Sequence, residues 1–220
     1  MIYEAIGRAG FAPRGAVRLE PRELPGEFAT AKTLVLVGVT GRRGWEAFAA
    51  SPEAHDGRED PLDRFSLRVI GGLASRLAAA ALYPFGGPPY WPFQQWARRA
   101  EGIRASPLGL LIHREFGLWH SYRGALAFGE ALDVPAVHAA ASPCEACCGR
   151  PCLNACPVRA FSAAGYDVDV CAAHLRTPEG AACMDAGCLA RRACPVGAAF
   201  AHAPDQASFT MRAFLRARSR

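Results

Sequence analysis

Nine cysteines lie between Cys144 and Cys194 of a 220-residue chain, and none precedes them. They form two runs. The first reads Cys144-x2-Cys147-x4-Cys152-x3-Cys156-Pro157, with Cys148 beside Cys147. The second reads Cys171, then Cys183-x4-Cys188-x5-Cys194-Pro195. Both close on the same four residues, "ACPV", at 155–158 and 193–196, so the pattern is an internal repeat with unequal spacers. Thiols at such density do one of three things: they form disulfides, hold zinc, or hold iron–sulfur clusters.

Spacing separates these chemistries. An odd number of cysteines suits a disulfide framework poorly. The opening "MIYEAIGRAG" has no basic stretch followed by an apolar core. A cytoplasmic protein is therefore expected, where structural disulfides are rare. Structural zinc favours C-x2–4-C pairs set apart by a loop, and only one clear C-x2-C pair is present, with C-P endings that are no feature of zinc sites. Two-cluster ferredoxins use C-x2-C-x2-C-x3-C-P runs, in which the last cysteine of each run ligates the other cluster. Eight thiols are the number two [4Fe–4S] clusters require. The crossed pattern predicts Cys144, Cys147, Cys152 and Cys194 on one cluster. Cys156, Cys171, Cys183 and Cys188 fall on the other. Cys148 is left over; it is expected to be a small buried residue or a neighbour of the first cluster, since replacing Cys147 by it would open the run on a less usual C-x3-C.

The rest of the composition is that of a globular protein: 51% hydrophobic and 20% charged, with a formal net charge of +5. Lys32 is the only lysine, and the arginines are spread along the chain apart from the tail "MRAFLRARSR". A nucleic-acid partner is not expected from so scattered a distribution. No apolar run approaches the ~18 residues of a membrane helix.

The elements that must position the cysteines are less explicit. "TLVLVGV" (33–39) reads as a buried strand, and Thr40 as the cap of a helix starting near Arg42. "DPLDRFSLRVIGGLASRLAAAAL" (60–82) has helical apolar spacing, with Asp60 before Pro61 as its cap. "YPFGGPPYWPF" (83–93) is a loop, because its prolines exclude regular structure. "QQWARRAEGI" reads as a short helix. "LGLLIHREFGLWHSYRGALAFGE" reads as two strands around a turn at Arg114–Gly117. Pro135 to Pro143 is a linker, and 206–219 is a helix docking back on the chain. The expected class is α+β, with domains at 1–140, 141–205 and 206–220.

Two stretches resemble known families. The block from Cys144 to Pro195 resembles the two-cluster ferredoxin module of epoxyqueuosine reductase and the reductive dehalogenases; Cys171, fifteen positions after Cys156, matches their lone cysteine. Asp60, Pro61 and Asp63, with Gly109, Ile112, His113, Phe116, Gly117, Trp119, Arg123 and Gly124, resemble two motifs of the cobalamin-processing chaperones, with Arg114 where those proteins carry proline. That resemblance implies a nitroreductase-like first domain ahead of a dicluster ferredoxin-like domain. It implies a corrinoid (cobalamin) or, failing that, FMN in the first domain, walled by Trp91, Trp96, Trp119 and Tyr122. It also implies a redox partner protein as electron donor or acceptor. No C-terminal repeat of the kind that helps some of those relatives hold tRNA is visible. A one-electron relay serving a corrinoid or flavin reductase is the first reading. A free-standing ferredoxin-like carrier or redox sensor, whose first domain only recognises partners, is the second.

Several side chains have a plainer structural reading. His113 is expected to be a hydrogen-bonded structural histidine, His120 to face solvent, Phe116 and Trp119 to pack in the hairpin, and His174, between the cysteines, to be exposed.

Overall fold

The computed structural model describes residues 1–88, 90–137 and 141–218. Helices and strands account for 41% and 17% of the chain, an α+β composition. No described helix is long and apolar enough to cross a membrane. The chain divides into two compact units, Met1–Gly102 with Ser121–Ala140, and Ile103–His120 with Ala141–Arg220.

The first unit is built on a four-stranded sheet of order β1-β2-β6-β3, formed by β1 (Ala12–Arg18), β2 (Thr33–Thr40), β3 (Ala80–Leu82) and β6 (His120–Phe128). β2 carries the continuous run of β-branched and leucine residues, and its first six positions are all buried. That is the pattern of a strand covered on both faces. β1 pairs antiparallel with it through a bulge between Pro13 and Ala16. At the bulge Gly15 has φ +72°, and a Cβ there would fall 2.7 Å from the Ala100 carbonyl oxygen, so only glycine lets the neighbouring helix approach. Preceding the sheet is α1 (Ile2–Arg8); between strands come α2 (Arg43–Ala49), α3 (Pro52–His55), α4 (Pro61–Arg76) and α5 (Phe93–Glu101). α4 buries Phe65, Ile70, Leu73 and Ala74, four positions of one helical stripe.

Three expectations change here. The long helix stops at Arg76; Ala78 takes φ +49° and Ala80–Leu82 joins the sheet beside β6. Helical spacing alone had carried it on to 82. Asp60 caps α4 through its carbonyl, which accepts from the Asp63 and Arg64 N–H groups; its side chain makes no capping bond. α2 starts at Arg43 with no side-chain cap from its flanking residue.

The second unit contains β4 (Arg104–Ala105) paired with β5 (Leu111–Ile112), α6 (Pro151–Asn154), the hairpin β7 (Phe161–Ser162) and β8 (Gly165–Tyr166), α7 (Val168–Leu175), α8 (Ala181–Ala186), α9 (Leu189–Arg192) and α10 (Pro204–Ala217). The expected hairpin around Arg114–Gly117 is replaced by two separate arrangements. β5 turns back on β4 through Ser106–Leu110, and the Arg114–Gly117 turn closes only a His113–Gly117 bridge. The division of the chain also differs from a linear one. Residues 103–120 group with the cysteine-bearing segment, and α10 docks back on α8 within the same unit, as expected for 206–219. The physical reason for the placement of 103–120 is burial: Leu108, Ile112 and Leu118 share one apolar core with Cys152, Cys156, Ala160, Ala190 and Cys194. Of the expected linker, residues 138–140 lie outside the described residues.

Candidate metal centre

The repeat explains how two distant runs come together. α6 and α9, the short helices that each precede an "ACPV", pack on one another. Gly117 and Gly197 make the closest backbone approach in this unit. A Cβ on Gly117 would lie 1.8 Å from the Val196 oxygen, and one on Gly197 2.3 Å from the Phe116 carbonyl carbon. The segment after Cys194 is thereby held against the Phe116–Gly117 turn.

All nine thiols are free. Eight of them line two cavities. Cys144, Cys147, Cys152 and Cys194 line one, with Ile112, Leu118 and Val196, enclosing about 20 Å³. Cys156, Cys171, Cys183 and Cys188 line the other, about 200 Å³, with Leu108, Phe161, Tyr166, His174, Leu175, Met211 and Phe214 among the remaining walls. The electrostatic couplings follow the same division. Burial pushes the Cys152 thiol up, and the Cys194 and Cys144 thiols add to it. Cys194 is raised by burial, then by Cys144 and Cys147. Cys171 and Cys188 are raised by burial and by thiols of the second group alone.

Hydrogen bonds already reach these sulfurs. The Ala160 N–H donates to Cys156 Sγ at 3.3 Å. The Tyr166 hydroxyl donates to Cys171, opposing the effect of burial there. Backbone N–H groups of Ala190 and Arg191 point at Cys188, and that of Val196 at Cys194. His174, one helical turn after Cys171, is half-buried and lines the second cavity. Its Nε2 is buried with no hydrogen-bond partner among the described residues. An unsatisfied buried polar group costs about 1–3 kcal/mol.

Among the described residues, no three His, Cys, Asp or Glu side chains stand close enough to hold one metal ion. Zinc needs that closeness, since four sulfurs at about 2.3 Å from one ion lie within about 4 Å of each other. Thiols spread around a cavity suit a group that has atoms of its own.

The other candidate residues are committed elsewhere. Trp96 is 1% exposed in the core of the first unit, and its indole N–H donates to Glu23. Trp91 stacks on Trp96 with centroids 6.2 Å apart and meets the edge of Phe28. The Tyr122 hydroxyl donates to Glu101, whose carboxylate also receives Arg14 Nε at 2.8 Å and Nη2 at 2.9 Å. Burial and the Glu101 charge push the Tyr122 hydroxyl far up, so it stays protonated. Trp119 belongs to the second unit, buried under the Arg191 guanidinium, which lies 4.5 Å above its ring and donates to the Leu118 carbonyl. Trp96 and Trp119 are thus buried in two different units, while Trp91 and Tyr122 are half-buried in the first. His113 Nδ1 accepts from the Glu115 and Phe116 N–H groups, a structural role. His120 is buried, not solvent-facing, with Nε2 3.0 Å from the Leu111 oxygen. Cys148 is exposed, with no place in either cavity.

Tyr166 was missed by sequence reasoning. A tyrosine five residues before a ligand-type cysteine has no spacing signature; its position comes from the β7–β8 hairpin folding back toward α7.

No protein-family model matches the chain, and no curated protein matches it. Solved structures of epoxyqueuosine reductase are similar at 14% identity. The enzyme from Streptococcus thermophilus aligns with a TM-score of 0.49 over 89% of this chain and 65% of that one, so this chain spans less than two thirds of its length. An epoxyqueuosine reductase crystallised with an epoxyqueuosine-modified tRNA-Tyr stem loop aligns at 0.49 over 94% of this chain and 71% of that one. A selenomethionine-labelled form aligns at 0.48 over 94% and 70%. Likeness at this level leaves fold and function to be argued from the chain itself.

Proposed function

We propose that the second unit is a dicluster ferredoxin-like module holding two [4Fe–4S] clusters, and that the protein passes single electrons to a cofactor or a partner protein. One observation carries the reading: eight thiols from two runs sort into two groups of four, each group around its own cavity, with the last cysteine of each run in the other run's group. Both sets fit a cluster by donor chemistry, since four cysteine thiolates are its normal ligands. Cys144, Cys147, Cys152 and Cys194 would hold one cluster, and Cys156, Cys171, Cys183 and Cys188 the other. Each, when bound, would supply one-electron transfer at a potential set by the hydrogen bonds and solvent around it.

The chain's own residues do the rest. The hairpin residues Leu108, Ile112 and Leu118 exclude water from between the sets. The Ala160, Ala190, Arg191 and Val196 N–H groups, and the Tyr166 hydroxyl, donate toward thiolate sulfurs and stabilise their negative charge. With four thiolates per site, no ligand position is left open for a substrate, which favours relay over chemistry at iron.

The test is composition. Protein purified anaerobically should contain about eight iron and about eight sulfide per chain. About four iron per chain, or stoichiometric zinc, would overturn the reading. Whether the acceptor is a corrinoid or flavin within the first unit, here proposed as nitroreductase-like, is decided separately. Titration of anaerobic holoprotein with cob(II)alamin, and with FMN, should change its visible and EPR spectra if either binds. No change at tens of micromolar leaves the free-standing carrier as the account.

A further inference from the structure

One buried ring nitrogen beside the second thiol set has no hydrogen-bond partner among the described residues. His174 lies on α7 three residues after Cys171, so both side chains project from the same face of the helix. It lines the cavity bounded by Cys156, Cys171, Cys183 and Cys188, and its Nε2 is buried without a partner among the described residues. Of the other walls, Leu175, Leu189, Met211 and Phe214 offer no strong acceptor, and the hydroxyls of Thr210 and Tyr166 already donate to the Gln206 carbonyl and to Cys171. A ring nitrogen buried among thiols and apolar side chains needs an acceptor from whatever fills the cavity. Sulfur is what a cluster presents there.

We propose that His174 is a positioning residue of the second site, donating its Nε2–H to a sulfur of the cluster held there and raising that cluster's potential above the value it would otherwise have. The proposal rests on the two-cluster reading and adds to it a direction. The reduced cluster carries one more negative charge than the oxidised one, so a donor aimed at its sulfur stabilises the reduced form more. No histidine lines the first cavity, whose walls beside the thiols are Ser106, three further prolines besides Pro195, Ile112, Leu118, Arg150 and Val196. The effect belongs to the second cluster alone, because His174 lines only the second cavity.

The experiment is an EPR-monitored redox titration of the full chain, reduced with dithionite, comparing wild type with His174→Phe and His174→Gln. The signal of the second cluster is assigned by its change in Cys171→Ser. Loss of the donor in His174→Phe should lower that cluster's one-electron reduction equilibrium about tenfold, a shift of about 59 mV, and leave the first cluster's midpoint in place. His174→Gln keeps an N–H donor and should recover most of the shift. A second readout needs no substitution: wild type labelled with ¹⁵N-histidine should show histidine nitrogen modulation on the spin echo of the second cluster. An unchanged midpoint in His174→Phe at full iron content, or an echo without histidine modulation, overturns the proposal. Wild type that binds fewer than about eight iron instead overturns the cluster reading beneath it.

Discussion

The two thiol sets use the same donors and the same repeat, yet they are built differently. The second surrounds about 200 Å³ and is walled by residues from the β7–β8 hairpin, α7, α8, α9 and α10, mostly apolar. The first encloses about 20 Å³, room for about one water. Two of its four thiols, Cys144 and Cys147, sit on the Ser142–Arg150 loop. Beside it opens a cleft of about 540 Å³ lined by Arg104, Pro107, Ser142, Cys144, Glu145, Arg150 and Leu153. A site whose walls come from helices is shaped before anything binds, whereas one that borrows half its ligands from a loop takes its shape as it fills. On the two-cluster reading the second set is preorganised, and the first would have to widen by movement of its loop.

The largest effect expected from this contrast is on cluster occupancy. Replacing Cys194 by Ser should remove only the cluster held by Cys144, Cys147 and Cys152, although Cys194 lies in the other run. Iron should fall from about eight to about four per chain. Replacing Cys156 should remove only the other. The EPR signals should therefore pair Cys194→Ser with Cys144→Ser, and Cys156→Ser with Cys171→Ser. A pairing that follows the runs instead would break the crossed division. Cys148→Ser, outside both cavities, should leave iron unchanged.

How much of this was legible beforehand varies with what the signal depends on. The cysteine division could be read because ligand chemistry is written in spacing, and the repeat marks where each run ends. β2 could be read because five leucine and valine residues in a run of seven have few other uses. The end of α4 could not: "AAAAL" is compatible with continuing the helix, and what stops it is Ala78 at φ +49° and a place beside β6. Of the aromatic residues read as cofactor walls, Trp96 is one whose packing role its helix shows. Phe93, Trp96, Ala97 and Ala100 lie at i, i+3, i+4 and i+7, the buried stripe of an amphipathic helix. Their periodicity already spoke for packing over a cofactor wall. The turn at Arg114–Gly117 and a strand on each side of it, β5 and β6, were found, but not their partners: β6 joins the sheet beside β3, and β5 pairs with a segment whose two residues, Arg104 and Ala105, carry no strand signal.

The next effect is on stability, and it tests whether the first set depends on the Gly117 contact. Gly117 has φ +55°, and its absent Cβ makes room for the Val196 carbonyl, two residues beyond Cys194. Gly117→Ala would combine backbone strain with a clash against main-chain atoms that cannot rotate away. The cost should be at least about 3 kcal/mol, measured by denaturant unfolding of the anaerobic protein. Because the displaced residue adjoins Cys194, iron should be lost from the first set before the second. Equal loss from both would show that the core shared by Leu108, Ile112 and Leu118 moves as one piece.

The smallest effect lies beside the second set and is read through pH. His202 packs against Trp119, with ring centroids 5.2 Å apart. Burial, and then the nearby Arg191 charge, push its imidazole down to about 3. Arg191 is itself pushed down to about 10 by burial, and it lines the second cavity. In the unfolded chain His202 would titrate near its ordinary value of about 6.5. Between these two values the unfolded state holds a proton that the folded state refuses. Stability is therefore complete above pH ~6.5 and falls as pH drops toward the folded value, by up to about 1.4 kcal/mol per pH unit. His202→Phe keeps the ring against Trp119 and removes the titration, so its unfolding free energy should be flatter than that of wild type from pH 6.5 down to pH 5. The comparison of the two sets sharpens if the second cluster's signal is also the one that fades first in wild type over that range. It fails if the His202→Phe slope equals the wild-type slope, because the acid sensitivity then comes from elsewhere in the chain.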